Sequence, residues 1–321
     1  MKVGRTRAGS RCMIGSLVVM ASLVSGCETD DSAATRGAER SGITELRDAI
    51  EARMAETGAE YGIAYRDLET GEQLLLNPDA EFHAASMMKV PVMVRLYRMS
   101  DAGRLDLDAP IEVRNEFRSI YDGSPYSLTF DEDSDSTLYA LAGTALPTRE
   151  LIDLMITRSS NLATNVLIAL ADPDSIAVML DEFGAGGMRV LRGVEDIPAY
   201  RNGLNNTTTA RGLLELFDAL GSGRAATVES TGEMMEILLR QAFNDAIPAG
   251  LPEGIPVAHK TGWITAVDHD GGVILPPGES PYVLVVLTSG VEDERVTRAA
   301  AADVSRLLWN WRQERFPDRR D

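Results

Sequence analysis

The amino-acid sequence predicts an α+β fold in which an antiparallel sheet is assembled from both ends of the chain. Two observations lead to this prediction. Strand patterns occur near both ends, in residues 60–75 and 257–288, whereas helical periodicity fills the segment between them. No internal repeat is visible, so a repeat architecture is not expected. The simplest arrangement is a sheet with flanking helices and an inserted all-helical lobe.

The first elements are a helix and a hairpin. Ile43 to Ala55 has the apolar spacing of an amphipathic helix. Glu60 to Arg66 alternates between polar and apolar residues, Thr70-Gly71 is a turn pair, and Glu72 to Leu75 returns as a second strand.

The middle of the chain predicts mostly helices and loops. Polar residues 121–138 and residues 190–207 predict two long loops. A tight corner is expected between the second and third of the predicted helices. These helices are Ser86–Met99, Thr148–Arg158, Asn161–Leu170, Thr209–Leu220 and Ser230–Ala242.

The C-terminal part predicts three strands and a closing helix. The strands are Val257–Thr261, Gly272–Leu275 and Tyr282–Thr288, and the amphipathic helix is Thr297–Arg312.

The N-terminus resembles a bacterial lipoprotein signal. Four basic residues precede the short apolar run Met13 to Val24, which ends in Ser25-Gly26-Cys27. This pattern predicts export to the cell envelope or periplasm and a lipid anchor on Cys27; the alternative is an ordinary secretory signal with an incidental cysteine. We therefore expect a signal at 1–26, a flexible tether at 27–41 and one domain at 42–321. Its sheet lobe would comprise 42–81 and 222–321, and its helical lobe 82–221.

The composition limits the possible partners. The net charge is −18, which disfavours binding to nucleic acid or to an anionic membrane surface. The only cysteine besides Cys27 is Cys12, inside the signal, so we expect no disulfide. No metal-ligand spacing or cofactor motif is present, and we expect a monomer without metal or cofactor. Lysine is scarce: Lys2, Lys89 and Lys260 stand against 28 arginines, so the last two are candidates for positions that need an amine able to lose its proton.

Three motifs carry residues suited to nucleophilic catalysis. Ser86-Met-Met-Lys89 places a hydroxyl and an amine three residues apart, on one face of a helix, and a lysine crowded by cations can act as a base toward serine. Ser159-Ser-Asn161 lies at the predicted corner, where Ser159 could pass a proton to a leaving nitrogen and Asn161 could bind a substrate amide. Helix capping is the simpler alternative for that corner.

The third motif, Lys260-Thr261-Gly262, ends a predicted strand. Lys260 adds positive potential, Thr261 could bind a carboxylate, and Gly262 would let a substrate backbone approach the strand edge. The N–H groups of Ser86 and Trp263 could form an oxyanion hole.

Together these motifs, in this order, resemble the motif set of the class A β-lactamases and penicillin-binding proteins. The resemblance extends over most of residues 43–312 and implies a β-lactamase/transpeptidase-like fold. It also implies acylation at Ser86, with Lys89 as base, Ser159 as proton relay and Lys260 as a binding group for the substrate carboxylate.

Three departures from that family are visible. The deacylating glutamate normally lies in an E-x-x-L-N pattern; here residues 192–199 lack it, and Glu195 is the best candidate with Asp196 in reserve. The strand after Lys-Thr-Gly has no arginine, and only His269 could supply a cation there. Ser160 stands where an aspartate is common.

Three functions remain open. The first is hydrolysis of a β-lactam ring through an acyl-enzyme at Ser86. The second is a D,D-carboxypeptidase or endopeptidase acting on peptidoglycan stem peptides, and the third is a lipoprotein that is acylated without turnover. A serine–histidine triad that uses His83 or His259 is a further hypothesis. The sequence alone does not place either histidine within reach of Ser86.

Overall fold

The computed structural model describes residues 31–315, with side chains from residue 42 onward. The predicted signal and its Cys27 lie outside the described residues. The chain divides into two units at the boundary between residues 41 and 42, and the sheet belongs to the second unit. The first helix runs over Asp31–Ala55, so residues 31–41 are helical where the sequence analysis expected a tether. That stretch contains three alanines and two arginines, both strong helix formers.

The described chain has its long strands toward both ends and most of its helices between them, as the sequence predicts. The helices are α1 (Asp31–Ala55), α2 (Lys89–Asp101), α3 (Thr148–Thr157), α4 (Asn161–Ala171), α5 (Pro173–Glu182), α6 (Ile197–Arg201), α7 (Ala210–Gly221), α8 (Val228–Leu239) and α9 (Glu294–Arg315). The strands are β1 (Glu60–Asp67), β2 (Gln73–Leu76), β3 (Phe82–His83), β4 (Pro110–Glu112), β5 (Phe117–Arg118), β6 (Pro125–Tyr126), β7 (Ala145–Pro147), β8 (Thr207–Thr208), β9 (Val257–Ile264), β10 (Val267–Ile274) and β11 (Tyr282–Ser289).

The five-stranded sheet has the order β2-β1-β11-β10-β9 and is antiparallel throughout. Strand β1 pairs along its whole length with β11, from Glu60 opposite Ser289 to Asp67 opposite Tyr282. The first and last strands of the domain are therefore neighbours, which confirms the prediction of a sheet built from both termini. Strand β9, which carries Lys260-Thr261-Gly262, lies at one edge.

Both faces of the sheet are buried, and the side chains alternate between two cores. Along β11, Val283, Val285 and Leu287 join the core shared with the helical part, while Tyr282 and Leu284 join the core under α1 and α9. This period of two is what an extended strand with two covered faces requires. The sheet is thus held between terminal helices on one side and the inserted helices on the other.

The lobe boundary differs from the predicted one at helix α7. The sequence analysis placed residues 82–221 in the helical lobe, but α7 packs against β1, β10 and β11. Its apolar residues, including Leu213 and Phe217, are buried. An apolar stripe at helical spacing shows that a helix is buried but does not show against which partner.

Several local elements also differ from expectation. Residues 85–88 form a single 3-10 turn before α2, rather than the start of the α-helix. Strand β10 begins at Val267, five residues before the predicted start at Gly272, because its polar residues His269 and Asp270 are buried with hydrogen-bond partners. Helix α5 was not expected.

Among the described residues, no single helix is long and apolar enough to cross a membrane. Only α4 and α5 taken together, with an 80° bend between them, have the length and composition. Residues of both helices belong to the buried core.

Candidate active site

The nucleophile candidate Ser86 opens into a cleft of about 480 Å³. The 3-10 turn at 85–88 presents it, and the turn begins at Ala85, a non-glycine residue with φ of 45°. Such left-handed backbone is strained and is found at functional sites. The Ala84 N–H donates to Asn206 O at 2.9 Å, which anchors the turn. Ser86 is half-buried, and in the described part of the chain its hydroxyl makes no hydrogen bond.

Lys89 is completely buried, and within the described residues its amine donates to the Ser-x-Asn corner. Its Nζ donates to Ser159 O at 2.6 Å, to Ser159 Oγ at 3.2 Å and to Asn161 Oδ1 at 2.9 Å. Desolvation lowers the pKa of Lys89 to about 7, although the negative charge of Asp133 acts in the opposite direction. Lys89 can therefore exchange a proton near neutral pH.

Lys260 reaches the same hydroxyl from the edge strand β9. It is also fully buried, and its Nζ donates to Ser159 Oγ at 3.1 Å and to Thr261 O at 2.7 Å. Burial, and then the charge of Lys89, hold the pKa of Lys260 well below its usual value. We call Lys89, Ser159 and Lys260 the amine cluster.

Ser159 links the two amines through one oxygen. Because its Oγ accepts from both Lys89 and Lys260, both lone pairs are used and its single proton remains free to be donated. Its φ of 58° places the corner in the left-handed region. Asn161 begins α4, with Ser160 as N-cap accepting from the Ala163 N–H. The capping interpretation therefore holds for Ser160, whereas the proton relay by Ser159 and the substrate binding by Asn161 stay predictions.

The loop of residues 192–199, here called the acid loop, contributes Glu195 to the same cleft. Glu195 has φ of 61°, and its pKa is raised to about 7 by burial and then by the charges of Glu132 and Asp133. Asp196 has other partners. It is buried, and its carboxylate accepts from the N–H groups of Ala199 and Ile120. This makes Asp196 a helix cap, so the reserve candidate is wrong and Glu195 remains.

Asn165 fixes the backbone beside Glu195. Its Oδ1 accepts from the Val194 N–H at 2.6 Å, and its Nδ2 donates to Val194 O at 2.9 Å. Arg192, also buried, donates to Leu204 O and Gly193 O within the loop region. Neither role was identified from the sequence, since a residue on α4 that binds a loop 29 positions later leaves no local pattern.

Gly262 allows a close approach between two parts of the chain that the sequence did not indicate. A Cβ there would lie 2.9 Å from Ser86 N and 3.0 Å from Met87 N. The structure thus shows a close approach between β9 and the nucleophile turn, and the approach of a substrate backbone at Gly262 stays a prediction. This contact aligns the strand edge with Ser86.

The neighbours of Gly262 are divided between two cavities. Trp263 lines the Ser86 cleft, whereas Thr261 lines a second cavity of about 170 Å³ that Trp263 also borders. The Thr261 hydroxyl is buried and has no hydrogen-bond partner in the described part of the chain. The structure therefore leaves the assignment of Thr261 as a substrate-binding residue, and of Trp263 as an oxyanion donor, as predictions.

The histidines do not supply the expected chemistry. His269 is buried, donates to His83 O and accepts from the Thr288 N–H, and desolvation lowers its pKa to about 4. It is therefore neutral and is not the missing cation. Both ring nitrogens of His259 are used by Asp270 and Asn244, and His259 does not line the Ser86 cleft, which contradicts a triad based on His259.

A guanidinium does reach β10, but from helix α9. Arg298 pairs with Asp268 and Asp245 and lies 5.5 Å from the centre of the Trp263 ring. The sequence of β10 alone does not indicate this guanidinium, because Arg298 lies about 30 residues after its strand partner Asp268.

Comparisons with known proteins agree with this architecture. The model of the β-lactamase enzyme family matches residues 45–312. A β-lactamase of Bacillus licheniformis is 26% identical over 83% of this chain and 83% of its own length. The crystal structure of a β-lactamase from Sphaerobacter thermophilus is 30% identical, with a TM-score of 0.70 over 84% of this chain and 96% of that one.

A third similar structure is a mutant of PBP-A, described as an acyl-enzyme complex with penicillin G. It is 26% identical and has a TM-score of 0.68, covering 84% of this chain and 97% of that one. The fold, the order of the three motifs and the match over residues 45–312 lead to one conclusion. The chain belongs to the β-lactamase enzyme family.

Proposed function

We propose that the chain is a serine hydrolase that opens the amide of a β-lactam ring through an acyl-enzyme at Ser86. Family membership supports a hydrolase that acts on amide bonds. The observation that carries the proposal is the amine cluster, in which Ser159 Oγ lies 3.2 Å from Lys89 Nζ and 3.1 Å from Lys260 Nζ. These three side chains come from distant segments and meet beside the cleft that contains Ser86.

Acylation begins with removal of the Ser86 proton. With a pKa of about 7, a large fraction of Lys89 is neutral near physiological pH, so its amine can take that proton. The Ser86 Oγ then adds to the lactam carbonyl carbon, and the carbonyl electron pair moves to oxygen. We assign stabilisation of that oxyanion to the N–H groups of Ser86 and Trp263.

Ring opening needs a proton on the leaving nitrogen. Ser159 donates its free proton to that nitrogen as the C–N bond breaks, and recovers one from the Lys89 ammonium. The net result is transfer of the Ser86 proton to the lactam nitrogen. Lys260 keeps positive potential at Ser159 and attracts a substrate carboxylate, and the Asn161 amide NH₂ remains available for a substrate carbonyl because its Oδ1 is used by Lys89.

Deacylation is assigned to Glu195. Its carboxylate takes a proton from a water molecule whose oxygen adds to the ester carbonyl. Collapse of the intermediate breaks the bond to Ser86 Oγ, which recovers that proton from Glu195 by way of Lys89. A pKa raised to about 7 suits Glu195 to accept and return a proton near neutral pH.

The test is incubation of the purified protein with a chromogenic cephalosporin. Steady hydrolysis that disappears in Ser86→Ala supports the proposal, and mass spectrometry should detect an adduct on the wild type alone. A stoichiometric burst and a stable adduct would instead favour a D,D-peptidase or an acylated protein without turnover, and release of D-alanine from a stem peptide would select the peptidase. Normal turnover by Ser86→Ala would refute the proposal.

We also propose that the protein is exported and anchored in the cell envelope through a lipid on Cys27. The basic and apolar segments before Ser25-Gly26-Cys27 support this. Cells grown with labelled palmitate should incorporate the label into the wild type and not into Cys27→Ala. Equal labelling of both forms would contradict the anchor.

A further inference from the structure

In the polar loop before α3, Asp133 and Ser134 hydrogen-bond the Ser-x-Asn corner, and Asp135 lies near Arg158, the residue before it. The carboxylate of Asp133 accepts from the Asn161 N–H at 2.9 and 3.0 Å and from the Leu162 N–H at 3.0 Å. The Ser134 Oγ donates to Ser159 O at 3.1 Å. Asp135 is buried and lies 3.8 Å from Arg158. We call residues 133–135 the corner strap.

The strap supplies a carboxylate that the corner itself lacks. The first N–H groups of a helix have no partner within the helix, and the Ser160 side chain accepts from that of Ala163 only. The Asp133 carboxylate accepts hydrogen bonds from the N–H groups of Asn161 and Leu162, although Asp133 lies 28 residues before α4 in the sequence. The negative charge at the start of α4 therefore comes from outside the motif.

The strap also fixes the surroundings of Lys89. The Ser159 carbonyl that accepts from Ser134 accepts from Lys89 Nζ too, and the Asn161 whose N–H is held by Asp133 accepts from Lys89 through Oδ1. All the hydrogen-bond acceptors of Lys89 therefore lie on a corner that the strap holds. Moving the corner would move the acceptors of the proposed base.

Charge acts in addition to position. Lys260 faces Lys89 from β9, Glu195 and Glu132 line the same cleft, and Asp133 lies at the corner. Among these, Asp133 raises the pKa of Lys89 against the effect of desolvation. Asp133 also raises the pKa of Glu195.

We propose that Asp133 is a positioning residue, whose carboxylate holds the Ser159–Asn161 corner against Lys89 and adds a negative charge at that corner. This inference rests on the proposed acylation of Ser86. It assigns a role to a segment that the sequence alone presents as a polar surface loop.

The experiment measures single-turnover acylation of the full-length protein by a fluorescent penicillin as a function of pH. Acylation needs neutral Lys89, so the wild-type rate should rise as pH passes about 7. In Asp133→Asn we expect the plateau rate to fall about tenfold through misplacement of the corner. The part of the pH profile where the rate rises, here called the acid limb, should move to lower pH by about one unit, because a negative charge near the ammonium is lost.

The matched control is Asp131→Asn, the same change two residues away on an exposed side chain that does not line the cleft. It should leave both the plateau and the limb unchanged. A double variant, Asp133→Asn with Ser160→Asp, returns a carboxylate to the N-cap position, where aspartate is favourable. It should move the limb back toward the wild-type position, and it serves as the test if the single variant does not fold.

An Asp133→Asn variant with the wild-type rate and limb would overturn the inference. A lower rate with an unmoved limb would also overturn it, because Asp133 would then be a cap alone. If only the double variant folds, a wild-type limb supports the inference, and absence of acylation overturns it. A wild type that is never labelled would instead refute the proposed function, so the two failures can be told apart.

Discussion

The amine cluster and the acid loop face the same cleft, but their functional groups are held in different ways. In the amine cluster, Lys89 and Lys260 are fully buried and both donate directly to Ser159 Oγ. In the acid loop, the backbone beside Glu195 is fixed by Asn165 and by the cap at Asp196. The Glu195 carboxylate itself makes no hydrogen bond within residues 42–315, the part with described side chains.

This difference concerns the two halves of the proposed reaction. Groups that are hydrogen-bonded before substrate arrives are already oriented for the transition state, so the Lys89–Ser159 part of the acylation proton path is already in place. Deacylation depends on a half-buried carboxylate whose position is set through the backbone. Changes in the amine cluster should therefore affect acylation strongly, and changes at Glu195 should affect the release of the acyl group.

The largest expected effect comes from replacing the base by a cation that cannot lose its proton. Lys89→Arg keeps the positive charge, but arginine does not act as a base. We expect the acylation rate to fall by roughly 10³-fold or more, measured by single-turnover labelling with a fluorescent penicillin. Arg95→Lys, on the same helix and outside the cleft, is the control. Labelling of Lys89→Arg at the wild-type rate would show that the base is another group.

A smaller and selective effect is expected from Glu195→Gln. Acylation should stay within a few-fold of the wild type, whereas hydrolysis of the acyl-enzyme should slow by roughly 10²–10³-fold. The acyl adduct should accumulate in mass spectra during turnover. Unchanged steady hydrolysis of a cephalosporin would mean that another group activates the water.

Gly262→Ala tests the contact that joins β9 to the nucleophile turn. The new Cβ would meet Ser86 N at 2.9 Å, so the turn or the strand must move. Overpacking of this kind costs about 1–3 kcal/mol of unfolding free energy, and we expect slower acylation with little change in the deacylation rate constant. Urea unfolding and pre-steady-state kinetics measure the two effects, and a fully active variant would contradict the proposed role of Gly262.

The smallest expected effect is on stability. The folded-state pKa of Glu195 is about 7, above its ordinary value of 4.5. The folded protein therefore binds the proton more tightly, and the stability that this provides is lost as pH rises from about 4.5 through 7. Glu195→Gln should have a higher melting temperature than the wild type above this range and a similar one below it.

Asp196→Asn provides the contrast, because its carboxylate caps a helix and holds the Ile120 N–H. Asparagine still caps a helix, but it has a single acceptor oxygen, so one of the Ala199 and Ile120 N–H groups loses its partner. The variant should be destabilised by about 1–3 kcal/mol and should leave the rate constant for deacylation nearly unchanged. A Glu195→Gln variant that is less stable than the wild type above pH 7 would indicate that the carboxylate is held by favourable contacts instead of being desolvated.

Local patterns in the sequence were sufficient to predict most of the fold. The β1–β2 hairpin, the corner between α3 and α4 and strand β11 are confirmed because their periodicity and turn residues are local. The start of β10 was missed since a buried His269 beside Asp270 has the appearance of a polar loop. The pairing of α7 with the sheet was missed because periodicity does not identify the packing partner.

The site was predictable to the extent that it consists of motifs. Ser86, Lys89, Ser159 and Lys260 were named from spacing, and the structure brings the last three together. Asp133, Asn165 and Arg298 act across about 30 residues of chain, and nothing in one sequence marks such partners. The choice between Glu195 and Asp196 likewise required the fold, since only geometry shows which carboxylate serves as a cap.

The scarcity of lysine makes the central claim directly measurable. From Cys27 onward the chain contains only Lys89 and Lys260, so selective isotope labelling of lysine gives two side-chain NMR signals that can be followed as pH changes. The structure predicts that Lys89 titrates near 7 and that Lys260 titrates well below 10.5. Titration of both amines near 10.5 would show that they are solvated and separate, and would contradict the amine cluster on which the proposed chemistry depends.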